Sequence, residues 1–538
     1  MDLEIECLPW IINLNVTKNT FLNDKYTKGV FLIIFIYSLS VTFVTIMYNP
    51  FLNSDNIVFY YFAGQEILAG HASDVIIPNA SLSFGLLTSI TDNPHIHMKI
   101  ISISSAVGII FFTFVTVRQI FNSKTAFLAT IFISVYAGLH MHSYMSDADI
   151  FPIFLLFVSF YYITKKRLTR FDIVMVAIFA GLSFTLKYQA AIIVIGFLIF
   201  FLIFQKPRIK KSIIFMSIFI LTITPMLLFN YIAVGELITS NSSTLVLMEW
   251  SNVPKEWYAI ESFNDSSLLF KNPDLLLYNF GNNIFESTSG VILNTYLNWN
   301  NLSIFPLIPF LGLIPLFGGI YFLKNSLPKN LIPIIISFLV YFSIMSIFAL
   351  VTNPIRLFPP ALILVILCAV FFAKIDKKKY LIPIILFVIL INLGDSTIMA
   401  NWILFNNYDI FDPKKEIVHQ ELYNISQILS KEKNIESKYV MGNNQLVAYH
   451  ANSKFIRDYA FNGPTAKIHE ETLDLERHIL KEDLDAYQIY VSKFYSYPIS
   501  EFDLERIPDY LIIKPVKNIP KDWEILYESK NYILLKIP

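Results

Sequence analysis

Long apolar runs alternate with short polar connections along this chain, and their spacing is the first thing the sequence specifies. The runs fall at 29–48, 98–117, 125–144, 148–163, 171–187, 189–204, 212–232, 302–323, 331–351, 357–373 and 380–400. Each is of bilayer length once tilt is allowed, so together they predict about eleven transmembrane helices. The first run is expected to stay as a signal anchor, because residues 1–28 carry too many acids for a cleaved leader. Two stretches break the alternation. Residues 233–301 form a long polar and aromatic loop. Residues 404–538 show a helical pattern around Glu416 to Leu429 and strand-like runs at Tyr439 to Val440, Ile489 to Val491, Tyr510 to Ile513 and Tyr532 to Ile537. The expected fold is an α-helical polytopic membrane protein with a C-terminal α/β domain. Its divisions are 1–28, a helical domain 29–403 with outer loops 49–97 and 233–301, and a soluble domain 404–538.

Composition agrees: 55% of residues are hydrophobic and only 15% charged, more apolar surface than a soluble core can bury. The formal net charge is zero, which removes any electrostatic case for nucleic acid. Cys7 and Cys368 are too far apart in the topology to suggest a disulfide, and neither sits in a metal-binding pattern.

Charge then sets sidedness. Lys and Arg crowd every second loop, at Lys165, Lys166, Arg167 and Arg170, at Lys206, Arg208, Lys210 and Lys211, at Lys324 and Lys329, and at Lys374 to Lys379. The positive-inside rule places all of these in the cytoplasm, with the N-terminus inside and, after an odd number of spans, the C-terminal domain outside.

The same count gathers the informative carboxylates on the outer face. Asp55 follows the first span closely, where a carboxylate near hydrocarbon is costly. It can serve as a general base with a raised pKa, or as the cap of an interfacial helix beginning near Asn56. Asp147 and Asp149 lie in His140-Met-His-Ser-Tyr-Met-Ser-Asp-Ala-Asp, at the outer junction of the third and fourth spans. They can hold a divalent cation such as Mg or Mn, or simply cap the next helix. Lys187 and Arg356 are cations on this otherwise acidic face. They suit a phosphate at headgroup depth, or snorkel to lipid. His95, His97, His142 and Tyr188 are weaker candidates, the histidines reading first as loop or interfacial side chains.

The order of these features resembles the GT-C superfamily of membrane glycosyltransferases, in particular the family 39-like branch of protein mannosyltransferases and aminoarabinose lipid A transferases. The resemblance rests on Asp55 after the first span, the run Met98 to Phe121 ending in Arg118-Gln-Ile-Phe, and the Asp147 region. It rests also on Gly181-Leu-Ser-Phe-Thr-Leu-Lys-Tyr and on the stretch Arg356 to Pro360. It implies transfer of a sugar from a dolichyl- or undecaprenyl-phosphate donor to a protein, glycan or lipid acceptor outside the cytoplasm, with inversion. In that scheme Asp55 is the base, Lys187 and Arg356 contact the donor phosphate, and Asp147 or Asp149 orients the acceptor or binds metal. The chain departs from the pattern in lacking a Pro-Pro pair before the second span, in having Asn56 where a second acid is usual, and in lacking a Trp-Trp-Asp signature. The rival expectation is a lipid or sugar transporter or flippase, which predicts charges near mid-span and two related halves.

Overall fold

The computed structural model describes residues 24–48, 94–136, 139–140, 142–143, 149–234, 313–324, 327–347, 358–375, 413–442, 445–457, 509–513, 523–530 and 532–538, with isolated positions elsewhere. The chain divides into two compact units: Met1–Pro50 with His95–Phe229 and Asn279–Ile403, and Phe51–Pro94 with Asn230–Tyr278 and Leu404–Pro538.

The described part of the first unit is helical. Its elements are α1 (Lys25–Tyr48), α2 (Pro94–Ile120), α3 (Ser123–Ser134), α4 (Ile150–Ile163), α5 (Arg170–Leu186), α6 (Ala190–Phe204), α7 (Arg208–Val234), α8 (Leu313–Leu323), α9 (Ile332–Ile347) and α10 (Phe358–Ala373). Where they are described these follow the expected apolar runs except at the third, while 302–312 of the eighth run and nearly all of the eleventh, 380–400, lie outside the described residues. The third run, 125–144, is not one helix: α3 stops at Ser134 and capping passes to Val135. His140 explains the stop, since its ring Nε2 donates to the Ser134 carbonyl at 2.8 Å, satisfying an acceptor that the helix end leaves open.

Polar contacts fix the helix directions. Arg118, near the end of α2, reaches Asp24 at 3.7 Å and Thr27 Oγ1 at 3.2 Å, at the start of α1. The two helices are therefore antiparallel. Gln119 Nε2 donates to the Tyr161 carbonyl at 2.7 Å and to Thr164 Oγ1 at 2.5 Å, so α2 and α4 end together. α4 and α5 then form a hairpin around the basic turn Lys165 to Arg170, closed by a full capping box between Thr169 and Asp172. The basic residues of this group gather at one end of the helices, as the charge pattern requires.

Among the described residues, three helices are long and apolar enough to cross a bilayer by length and composition, within Lys25–Thr45, Ile96–Ile120 and Arg208–Ile232. Their outward side chains are apolar: Phe31, Leu32, Phe35, Ile36, Leu39 and Phe43 on α1 all stand exposed. Such a surface is stable only where the solvent is lipid, and the chain is an integral membrane protein. α4 has 14 residues, about 21 Å of helix against about 30 Å of hydrocarbon.

The described part of the second unit contains α11 (Pro413–Leu429), β1 (Tyr439–Gly442), α12 (Gln445–Ala451), β2 (Lys454–Arg457), β3 (Tyr510–Ile513), β4 (Glu524–Glu528) and β5 (Ile533–Lys536). The strands form one sheet in the order β2-β1-β3-β5-β4, with β1 parallel to β2 and β3, and β5 antiparallel to β3 and β4. Leu511, Ile512, Ile533, Leu534 and Leu535 are its buried centre. The expected α/β character is present. The expected strand at Ile489 to Val491 lies outside the described residues.

Candidate functional site

The end of the α4–α5 hairpin opposite its basic turn, outer by the charge rule, carries the clearest constellation. Asp149 occupies the N-cap position of α4, yet its side chain makes no capping hydrogen bond. It forms an ion pair with Lys187, the residue that ends α5. The cap expected of this acid is therefore not made. Each charge nevertheless sits where its helix favours it, the carboxylate at an N-terminus and the ammonium at a C-terminus.

The local sequence explains how Lys187 comes to face inward. Its backbone is extended (φ −147°, ψ 115°) and its N–H still donates to the Ser183 carbonyl, so the helix stops with one last bond and the chain turns through Tyr188 and Gln189 into α6. Ser183 Oγ donates to the Pro152 carbonyl at 2.8 Å and ties this turn to the start of α4. Gly181 lets α5 close on α7: a Cβ there would lie 2.8 Å from Thr222 Cβ. Hence the Gly, Ser and Lys of Gly181-Leu-Ser-Phe-Thr-Leu-Lys-Tyr each have a placing role. Only 8% of Lys187 is exposed, which excludes a side chain snorkelling freely to lipid headgroups.

The other candidates divide. Tyr188 packs its ring on Phe184, 5.4 Å between centroids, with its hydroxyl 4.0 Å from Met226 Sδ. His142 is buried rather than interfacial, and so is His140, whose ring lies 4.8 Å from that of Tyr37. Tyr37 in turn shares a 2.7 Å hydrogen bond with Ser143 Oγ. His95 lies in the first turn of α2 with its side chain undescribed, and His97 follows on the same helix, half-buried, rather than in a loop. Among the described residues no three His, Cys, Asp or Glu side chains come together as a metal site. Asp55, Asp147 and Arg356 lie outside the described residues.

One feature of this end carries no signal in the apolar pattern. Lys99, in the second turn of α2, is only 6% exposed and Ser102 is fully buried. Among the described residues neither Lys99 Nζ nor Ser102 Oγ has a hydrogen-bond partner. Their spacing of three residues on a helix was the available sign.

Residues 78–229 match the family described as dolichyl-phosphate-mannose-protein mannosyltransferase. No curated protein matches the chain in sequence. Among solved structures, ArnT from Cupriavidus metallidurans bound to undecaprenyl phosphate is similar in fold, with a TM-score of 0.56 at 9% identity, over 94% of this chain and 98% of that one. The Archaeoglobus fulgidus oligosaccharyltransferase tethered to an acceptor peptide gives a TM-score of 0.53 at 12% identity, over 91% of this chain and 69% of that one. Both are GT-C superfamily glycosyltransferases, and the resemblance expected from the sequence is met by family match and fold alike.

Proposed function

We propose that this GT-C-fold membrane protein is a glycosyltransferase that moves a sugar from a polyprenyl-phosphate carrier to a protein, glycan or lipid acceptor on the outer face, by inverting displacement. The observation that carries the reading is the Asp149–Lys187 pair at the outer helix ends, inside the stretch that matches the mannosyltransferase family. The ArnT structure holding undecaprenyl phosphate supports the same class of donor.

The acceptor oxygen attacks the anomeric carbon. The bond from that carbon to the phosphate oxygen breaks, and its electron pair leaves with the carrier. The acceptor proton goes to Asp55, acting as general base. The departing phosphate gains negative charge, which Lys187 and Arg356 balance in a poorly hydrated setting where such interactions are strong. Asp149 fixes the Lys187 ammonium, and Asp147 orients the acceptor. Asp149 faces an ammonium and His140 a carbonyl, so this scheme uses neither as a metal ligand and no step in it requires a divalent cation. The charge pattern places the N-terminus in the cytoplasm and the C-terminal α/β unit outside, where it is suited to binding the acceptor.

The test is transfer of label from radioactive polyprenyl-phosphate sugars to an acceptor panel by the full-length protein in nanodiscs, with and without chelator. We expect transfer that survives chelator and falls at least about 100-fold in Asp55→Asn, as removal of a general base predicts. Unchanged transfer in Asp55→Asn overturns the assignment of the base. Lipid movement across the bilayer without any transfer overturns the enzyme in favour of a flippase.

A further inference from the structure

We infer that Lys99 and Ser102, with the first turn of α2, form the site where the phosphate group of the lipid carrier first binds, nearer the surface than Lys187, which meets that phosphate as the bond to the sugar breaks. The inference rests on the proposed donor class and adds a residue to which the sequence pattern assigned no role.

Three observations carry it. First, Lys99 Nζ and Ser102 Oγ are buried without a hydrogen-bond partner among the described residues. Of the buried hydroxyls on α2, Ser105 donates to the Ile101 carbonyl at 2.6 Å and Thr113 to that of Ile109 at 2.8 Å, while those of Ser102 and Thr116 have no partner among the described residues. What sets Ser102 apart from Thr116 is its place three residues from Lys99 on the same helix face, at the end of α2 where that ammonium also lacks a partner among the described residues.

Second, these groups sit where a helix gathers anions. α2 begins at Pro94, and the first-turn N–H groups, which have no partner within the helix, make a positive end. Long helical side chains lean back towards the N-terminus, which carries the Lys99 ammonium towards that turn. A carboxylate partner is not at hand in the described structure, since Asp149 is paired with Lys187.

Third, the depth is right. α2 and α4 are parallel, and Gly108 of α2 packs against the Phe154 ring of α4. Counting outward at about 1.5 Å per residue, Asp149 lies about 7 Å from that contact and Lys99 about 14 Å. Lys99 is therefore on the same outer side as the ion pair and roughly 6 Å nearer the surface, with its side chain directed further outward. A phosphate bound there sits towards the headgroup layer while the chain attached to it runs in hydrocarbon.

The source of the phosphate decides the test, because a bilayer phospholipid offers the same chemistry. Binding of polyprenyl phosphate, of the neutral polyprenol and of phosphatidylglycerol to the full-length protein in detergent is measured by native mass spectrometry, for wild type, Lys99→Met, Lys99→Arg and Ser102→Ala. We expect Lys99→Met to weaken polyprenyl phosphate roughly 10- to 100-fold, the range of a lost charged hydrogen bond. Polyprenol binding should be unchanged, Lys99→Arg should retain most of the affinity, and Lys99→Met should not melt earlier than wild type. Equal affinity of wild type and Lys99→Met for polyprenyl phosphate overturns the site while leaving the proposed donor class standing. Displacement by equimolar phosphatidylglycerol overturns the carrier as its occupant. A wild-type protein that fails to bind polyprenyl phosphate overturns both the site and the donor class.

Discussion

The two ends of the α4–α5 hairpin both pair a lysine with an aspartate, and they use the pair differently. At the inner end, Asp172 accepts from the Thr169 N–H at 2.9 Å, from the Thr169 hydroxyl at 2.7 Å and from Lys165 at 2.6 Å. Every one of those contacts is local, the turn is capped, and Lys165 also lies over the Tyr162 ring at 4.6 Å. At the outer end, Asp149 stands at a helix N-cap, leaves the cap unmade and joins a residue 38 positions away in the sequence. The inner pair secures a turn between adjacent helices. The outer pair holds two charges of opposite sign at a depth where an unbalanced one is expensive, which is the arrangement a site for a charged substrate needs.

The sharpest way to break that comparison is to remove each carboxylate. Asp149→Ala leaves Lys187 buried without its carboxylate and is expected to cost about 3 kcal/mol or more, with loss of transfer. Asp172→Ala removes a cap and a partly exposed pair, at about 1–2 kcal/mol with transfer retained. Thermal melts in detergent and the transfer assay read both. Equal losses of activity at the two ends would erase the distinction.

Gly181→Val sharpens the comparison from the middle of α5. The added side chain meets Thr222 and is expected to cost about 1–3 kcal/mol and to lower transfer by displacing Lys187, while leaving the inner turn intact. A variant with wild-type melting and transfer would show that α5 need not approach α7 so closely.

The smallest effect is expected in the C-terminal unit, where Glu432 accepts from Lys536 at 2.8 Å and from the Tyr510 hydroxyl at 2.9 Å. These hydrogen bonds hold its carboxyl below the usual range. A folded pKa that is depressed contributes stability above the unfolded value of about 4.3, and that contribution is lost as pH falls through the folded value. Glu432→Gln should therefore flatten the acid limb of the melting curve slightly and leave transfer unchanged at neutral pH. A larger acid sensitivity in the variant would reverse the sign of this argument.

Much of this was legible before any coordinates. Apolar runs and basic loops gave helix positions and the sharing of one end by Asp149 and Lys187, because hydrocarbon and the charge rule constrain every residue in the same way. In the sheet, the run at Tyr510 to Ile513 and the final run were readable, being central and apolar. β2 and β4 were not, since they are the two edges of the described sheet, and β4 is largely exposed with a weak apolar pattern. The end of α3 was missed because the cap that stops it is a histidine side chain, a contact that periodicity does not report.

What the sequence determined by itself is which segments are apolar enough for lipid and the helix end at which each described charge stands, quantities that follow from composition taken locally. Tertiary structure alone decided which charges have partners. Lys187, read as a phosphate contact or a snorkelling cation, is paired with Asp149, while Lys99, to which the sequence pattern gave no role, is buried without a described partner. Partnership depends on which helices pack together and at what depth, and those distances are properties of the folded bundle rather than of any stretch of chain.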